Sequence, residues 1–417
     1  MTETTDALII GAGPTGMALS IALHQAGTDH VLIDRLDQGQ NTSRAAVIHA
    51  QTLESLHTLG VAKQLEDLGL KLTRFTIRDR DRALLRLRFD ELPSRYRHLL
   101  MLPQNVAEQV LADRLAALGG GIRRGVTATG IVQDKDGVRV TVNEGGMERI
   151  IAARYVVGAD GMHSIVRDAT GVAFDGAAYA DSFVLADIHM DWPLGRGEVS
   201  LFFSPEGLVV VAPLPDGSFR IVATMEDAPE LPSIADIQAL IDARGPRGTR
   251  AVARDVVWSS RFRVHHRLAR SYRQGRLILM GDAAHVHSPA GGQGMNTGMI
   301  DAIVLGQLLA DVVKGARPEE ALDLYGELRR PAAEEVLTLS GRLTAMATMR
   351  NPLRQFVRNL ALSAINLVPS ARRRMEMNLS GLARASLAVL PASSPAQTAA
   401  APQMRPSARR TASRIHA

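Results

Sequence analysis

The sequence predicts an α/β fold: an open, mostly parallel sheet of dinucleotide-binding type, interrupted by an inserted, mainly antiparallel β block and closed by C-terminal helices. Three observations over its 417 residues carry this. An apolar strand runs through a glycine-rich turn into a helix at the N-terminus. Strand-like runs crowd residues 181–264. From Thr297 onward, apolar residues return at helical spacing.

The N-terminal unit is read first. Ala7–Ile10 is a short apolar strand, and Pro14–Ala26 is a helix rich in Ala, Leu and Ile that Gly27 ends. His30–Ile33 is a second strand, so strand, turn, helix and strand follow within about 30 residues, the βαβ order. Helices are predicted over Ala50–Leu59, closed by Gly60, and over Val106–Leu118, closed by Gly119 to Gly121. Strands follow at Gly125–Gln133, Gly137–Asn143 and Arg154–Val157. The inserted block contributes Glu198–Phe203, Leu208–Pro213 and Ser218–Met225, with one helix at Ile234–Ala243. Arg276–Met280 is a buried strand, Thr297–Val313 a long apolar helix, and Pro318–Leu328 and Ala332–Thr348 are amphipathic helices. The expected domains are 1–175 with a substrate-facing segment near 70–100, the inserted sheet 176–270, the second part with its helices 271–384, and a disordered basic tail 385–417 rich in Ala, Ser, Pro and Arg.

Composition bounds the function. Hydrophobic residues make up 46% and charged residues 22%, the balance of a globular protein. The net charge of +5 collects at the C-terminal end, where Arg372, Arg373, Arg374, Arg384, Arg405, Arg409, Arg410 and Arg414 face one acid, Glu376. With aromatics at 4%, this is no nucleic-acid footprint. The absence of cysteine excludes disulfides, thiolate metal sites, iron–sulfur clusters and a redox dithiol, so redox chemistry needs a bound cofactor. It also fits a cytoplasmic location. No secretory leader is read at the N-terminus, and no window of about 18 apolar residues is expected to span a membrane. Phe356–Pro369 is apolar but holds Arg358 and Asn359; it reads as a core helix, with a membrane-surface helix as the alternative.

The first chemical motif is Gly11-Ala12-Gly13-Pro14-Thr15-Gly16. Gly11 allows the tight turn, Gly13 lets backbone approach a pyrophosphate, and Gly16 lets helix and strand pack closely. The phosphates then face free N–H groups at the positive end of the helix. Asp34, 18 residues after Gly16, ends the second strand and can accept from ribose hydroxyls; Arg35 follows it. This motif speaks for a dinucleotide without naming it.

The second motif, Tyr155 to Arg167, runs a strand into Gly158 and turns at Asp160-Gly161; Ser164 or His163 can cap the following helix. By itself it is equally a plain strand–turn–helix junction. The third begins at Gly275, reaches Gly281-Asp282 at a strand end, and continues through His285, Pro289 and Gly291-Gly292-Gln293-Gly294-Met295-Asn296. Asp282 at the carboxyl edge of the sheet suits the ribityl or pyrophosphate part of a flavin nucleotide. Backbone N–H groups of Gly294, Met295 and Asn296 suit the N1/O2 edge of an isoalloxazine, which becomes negative on reduction. His285 and His287 are not assigned as bases.

Taken together, these motifs resemble those of the FAD-dependent aromatic hydroxylases, the para-hydroxybenzoate hydroxylase-like flavoprotein monooxygenases, in the same order and over residues 5 to 380. The resemblance implies an FAD-binding Rossmann-like domain of glutathione-reductase type. It also implies FAD ligation by Asp160, Gly161, Arg167, Gly281, Asp282, Pro289, Gly292 and Gly294 to Asn296. Ser43-Arg44-Ala45 with His49 resembles the family loop whose arginine lies near the flavin, here Arg44, and Gln104 resembles a glutamine that contacts FAD. Arg44 also reads as a surface arginine, and Gln104 as a helix-cap neighbour. Asp34 stands where the family usually has Glu, also a carboxylate. The implied chemistry reduces FAD with NADH or NADPH, forms a C4a-hydroperoxide from O2, and hydroxylates a phenolic or polyketide-like ring, with Pro289 and Arg44 beside the reacting centre. Alternatives are a reductase or dehydrogenase on this fold, or a non-catalytic FAD-binding protein. Phe202, Arg220, His265 and His266 are possible pocket liners. A monomer or homodimer is expected, without a metal, a nucleic-acid partner or a stable membrane span.

Overall fold

The structure, a computed structural model, describes residues 3–39, 45–349 and 351–392. Arg44 and the end of the expected tail from residue 393 lie outside the described residues.

Two sheets organise the chain. In the first, Glu3–Ile10 pairs in parallel with His30–Ile33 on one side and with Met147–Gly158 on the other; Leu277–Leu279 adds a further parallel strand. Val126–Gln133 and Val138–Glu144 form an antiparallel meander on the early half of Met147–Gly158. The parallel strands are buried on both faces. That explains why they read as unbroken apolar runs, with Ala7, Leu8 and Ile9 fully buried. Helix Pro14–Gln25 packs directly behind: a Cβ on Gly16 would stand 1.9 Å from the Gly11 carbonyl oxygen.

The second sheet has eight strands, in the order His285–Val286, Val252–Ala269, Phe174–Asp191, Phe219–Met225, Gly207–Pro213, Val199–Ser204, Arg74–Asp79 and Arg82–Arg88. It recruits strands from outside the inserted block: Arg74–Asp79 pairs in parallel with Val199–Ser204. Period-two alternation splits its side chains between two faces. Val184, Ala186, Phe202, Val209, Val211, Phe219 and Ile221 form a second core with helix Ile234–Arg244. That helix starts with a capping box between Ser233 and Asp236.

Several expectations are corrected. The long apolar helix begins three residues earlier, at Gly294. It is long and apolar enough to cross a bilayer, contrary to the expectation that no such window exists, yet most of its side chains are buried within the protein. The two amphipathic helices are a short 3-10 turn, Glu319–Leu322, and one continuous helix, Asp323–Ala347. Pro331 removes one backbone donor inside that helix. Burial of Tyr325, Arg329, Ala332, Ala333 and Val336 around it holds the helix together regardless. The start of the expected tail at 385 overlaps a 3-10 helix, Leu382–Ala388, that buries Leu382 and Arg384. The stretch at Phe356–Pro369 belongs to helix Pro352–Leu367, which buries only Arg358 and Leu362 and is not a core helix.

Asp301, fully buried on helix Gly294–Val313, joins these parts. Its carboxylate meets His285 Nε2 at 2.7 Å and Arg329 Nε at 2.8 Å, and accepts from the Gly281 amide at 3.3 Å. These neighbours hold its pKa below the usual carboxylate range, against the opposing effect of burial, which is the largest single influence. A depressed pKa stabilises the fold above the ordinary carboxylate value and loses that contribution as pH falls through the folded-state value. Asp301→Ala should therefore strand a buried guanidinium and cost about 3–5 kcal/mol in urea unfolding at pH 7. Asp301→Asn should remove the corresponding component of acid destabilisation below about pH 4. A urea midpoint unchanged in both variants would refute this role.

Candidate active site between the sheets

A cavity of about 880 Å³ lies between the carboxyl edge of the first sheet and the inner face of the second. Its volume is at the upper end for a small-molecule site.

The first wall is a dinucleotide cradle. Gly11 has φ +104°, and a Cβ there would stand 2.3 Å from the Ala159 carbonyl oxygen, so the turn tolerates no side chain. Gly13 has an ordinary φ of −72°, and a Cβ there would meet nothing within 4 Å. It would project into open space beside the cavity wall that Gly13 forms. No side chain caps helix Pro14–Gln25, so its first-turn amides remain available to an anion. Gly16 is not on the cavity wall; it backs Gly11 and sets the approach of the helix. Pro14 and Thr15 are on the wall.

Asp34 closes one end. Its Oδ2 accepts from the Ala12 amide at 2.6 Å and its Oδ1 from the Leu36 amide at 2.8 Å, which locks the carboxylate beside the turn. Arg35, Gln104, Glu108 and Arg124 line the same end. Gln104 accepts from the Ala45 amide at 3.2 Å through Oε1 and donates to Glu108 Oε1 at 2.8 Å through Nε2. Burial raises the Glu108 pKa. Helix Gln104–Ala117 starts at Gln104 itself, two residues before the expected start at Val106.

Asp160 Oδ2 accepts from the amides of Ile165 at 2.8 Å and Val166 at 3.4 Å, while Oδ1 is buried without a hydrogen-bond partner. Burial raises its pKa. Ser164, not His163, caps helix Ile165–Thr170, accepting from the Arg167 amide at 3.0 Å. Asp160 and Gly161 line the cavity, but Arg167 does not. Its guanidinium donates to the carbonyls of Ala283 at 3.1 Å and Met162 at 2.8 Å, and lies 4.1 Å over the Phe174 ring. It fastens the second motif to the third from behind the cavity wall.

In the third motif, Gly281–Ala283 makes a 3-10 turn that presents Asp282 to the cavity. Pro289, Gly292, Gly294 and Met295 line the wall. Helix Gly294–Val313 has no side-chain cap, so its first-turn amides also remain available to an anion. The Asn296 side chain turns inward: it accepts from the His49 amide at 2.8 Å and donates to the carbonyls of Val47 and Gly292 at 2.9 and 2.8 Å. It pins the loop and is absent from the cavity wall.

The opposite wall is apolar, with Phe183, Leu185, Leu201, Val210, Val222 and Phe262. Of the four possible liners, Arg220 and His265 are present; His266 is not on the wall, and Phe202 points to the far face, edge-on to Trp192. Strand alternation explains this, since Leu201 takes the inward position next to Phe202. Arg220 is buried and forked on Asp187, with both bonds at 2.7 Å; Trp258 Nε1 donates to the same carboxylate at 2.8 Å. His285 is fully buried on Asp301 and off the wall, whereas His287 lines it. His287 Nδ1 donates to the Ser288 carbonyl at 2.9 Å, which leaves Nε2 a bare acceptor buried without a partner. Burial lowers the pKa of both His287 and His49 to about 4, so both rings are neutral at pH 7. Sequence reading named His49 only with the Ser43-Arg44-Ala45 loop and overlooked Glu108, Arg124, Leu343 and Leu379 on the wall. The last two come from the C-terminal helices and carry no local signal.

An uncapped helix start, an open position at Gly13, a locked Asp34 and an orphaned Asp160 oxygen fit FAD. Gly13→Ala should fold normally and weaken FAD binding about tenfold or more. Gly11→Ala should instead destabilise the fold by about 2 kcal/mol or more, by positive φ and clash. Thermal melting and flavin titration check both. Asp282→Ala should release FAD during purification, while Asp175→Ala should not, because Asp175 sits on the exposed surface paired with Arg270. Equal yellow colour in the two purified variants would remove Asp282 from the site.

Comparison with known proteins places this geometry. Residues 4–340 match the family model described as FAD binding domain. The chain is 37% identical over 385 residues to 6-methylpretetramide 4-monooxygenase of Streptomyces rimosus, covering 90% of this chain and 69% of that protein. It is 33% identical over 335 residues to dialkyldecalin synthase of Streptomyces rugosporus, covering 78% and 69%. The solved structure of the anhydrotetracycline hydroxylase OxyS of Streptomyces rimosus superposes with a TM-score of 0.78 at 31% identity, over 91% of this chain and 76% of that one. With its dinucleotide cradle, uncapped helix starts and apolar facing chamber, the chain belongs to the FAD-dependent aromatic hydroxylase family.

Proposed function

We propose that this protein is an NAD(P)H-dependent flavoprotein monooxygenase that hydroxylates a phenolic or polyketide-like aromatic small molecule with O2. The observation that carries the reading is one continuous cavity that passes from the dinucleotide cradle into an apolar chamber. Such a chamber holds an aromatic ring and excludes water from the reacting atoms.

Gly11, Gly13, Pro14, Thr15, Asp34, Arg35, Gln104, Asp160, Gly161, Asp282, Gly292, Gly294 and Met295 would hold FAD on the wall, with Gly16, Arg167 and Asn296 supporting it from behind. Arg44 belongs to the proposed site by resemblance. Bound FAD supplies the redox chemistry, accepting a hydride from NADH or NADPH and, once reduced, activating O2. The uncapped start of helix Gly294–Val313 would stabilise negative charge developing on a reduced flavin. Pro289 lies where the loop meets the chamber. The neutral His287 ring offers Nε2 to a phenolic O–H, and Arg220, held by Asp187 and Trp258, places a fixed cation on the chamber wall.

The experiment follows NADH and NADPH oxidation by FAD-loaded protein with phenols, quinones and polycyclic aromatics, under labelled O2. The expected result is an aromatic-dependent rise in oxidation of at least tenfold and one labelled oxygen atom in the product. Steady NAD(P)H oxidation giving only hydrogen peroxide with every aromatic would favour a reductase. A yellow protein that never oxidises NAD(P)H would favour a non-catalytic FAD-binding protein.

A further inference from the structure

Six large apolar side chains on one helix and its cap lie outside every core. Leu353, Phe356, Val357, Leu360, Leu367 and Val368 are between 47% and 81% exposed. They recur at helical spacing along Pro352–Leu367 and its C-cap, with the exposed Ala364 between them, so they form one continuous stripe. A stripe of this kind is unusual on a water-exposed helix.

The helix cannot rotate to hide it. On the inner side, Leu362 is buried and Arg358 lies 4.7 Å over the Phe203 ring, donating to the Met346 carbonyl at 2.7 Å. Asn359 Nδ2 donates to Asp79 at 2.9 Å, and Asn366 Oδ1 accepts from the Arg86 amide at 3.0 Å. Asn351 caps the start by accepting from the Arg354 amide at 3.1 Å.

The charges around the stripe are mainly basic; Asp79 lies on the inner side, held by Asn359. The helix carries Arg354 and Arg358 and no acidic residue. The next helix, Pro369–Leu379, adds Arg372, Arg373 and Arg374 against a single acid, the buried Glu376, which pairs with Arg372 at 3.5 Å and Arg373 at 4.0 Å and leaves a net basic cluster. Asp90 and Glu91, near that helix, are already paired with Arg88. The residues from 372 onward remain strongly basic.

We propose that this face seats the protein on the surface of an anionic lipid bilayer, with the apolar stripe at the acyl boundary and the flanking arginines at the headgroups. Charge favours lipid over a second copy of the chain. Antiparallel two-fold pairing of the stripe would bring Arg354 of one copy onto the Arg372–Arg374 cluster of the other.

The test is co-sedimentation of the full-length, FAD-loaded protein with vesicles of phosphatidylcholine alone or mixed with phosphatidylglycerol. The comparison is the double variant Phe356→Ser/Leu360→Ser, whose exposed positions leave folding and bound flavin unchanged. Wild type should sediment with the anionic vesicles only, and the variant should bind roughly tenfold more weakly. Equal binding by the variant would overturn the proposal by assigning the attraction to the basic C-terminal residues alone. Failure of wild type to bind would also overturn it. So would a wild-type dimer that the variant converts to a monomer, which would make the stripe a self-association surface.

Discussion

One buried carboxylate holds the catalytic end of this molecule in register. Asp301 has no access to water, so its charge is tolerable only because Arg329, His285 and the Gly281 amide surround it. Those partners reach the long core helix from three places: the Pro331-containing helix, the strand His285–Val286, and the turn that presents Asp282. Their common need for one anion fixes the turn at the sheet edge, and through it the floor of the cavity.

The cavity itself is a consequence of strand geometry. The second sheet hides one face against helix Ile234–Arg244 and turns the other toward the dinucleotide cradle. Each strand therefore contributes alternate residues to a packed core and to a ligand wall. The few polar groups on that wall are restrained. Arg220 is forked on Asp187, and His287 keeps its proton on Nδ1 because a carbonyl oxygen can only accept. A mainly apolar wall with restrained polar groups suits chemistry on an aromatic ring that water would short-circuit.

The outside of the protein follows a different logic. The helix Pro352–Leu367 is anchored by Arg358, Asn359, Leu362, Ile365 and Asn366, while Leu353, Phe356, Val357, Leu360 and Leu367 stay exposed among the described residues. Its composition resembles a core helix; its orientation makes it a surface.

Much of this organisation is legible in one dimension. The Gly11 to Gly16 turn, Asp34, the Asp160 turn and the Gly281–Asn296 segment act through local backbone geometry: positive φ, a carboxylate at a strand end, a helix start with free amides. Such features are set within a few residues, so the sequence by itself determined the dinucleotide cradle, its order of motifs and the family. What only the tertiary structure decided depends on direction and distance. Arg167 and Asn296 turn inward to backbone partners, Phe202 faces away while Arg220 faces in, Leu343 and Leu379 reach the wall from remote helices, and the apolar stripe near Phe356 faces out. Side-chain direction depends on which element packs where, and that is fixed by contacts between residues hundreds of positions apart, which local periodicity does not encode.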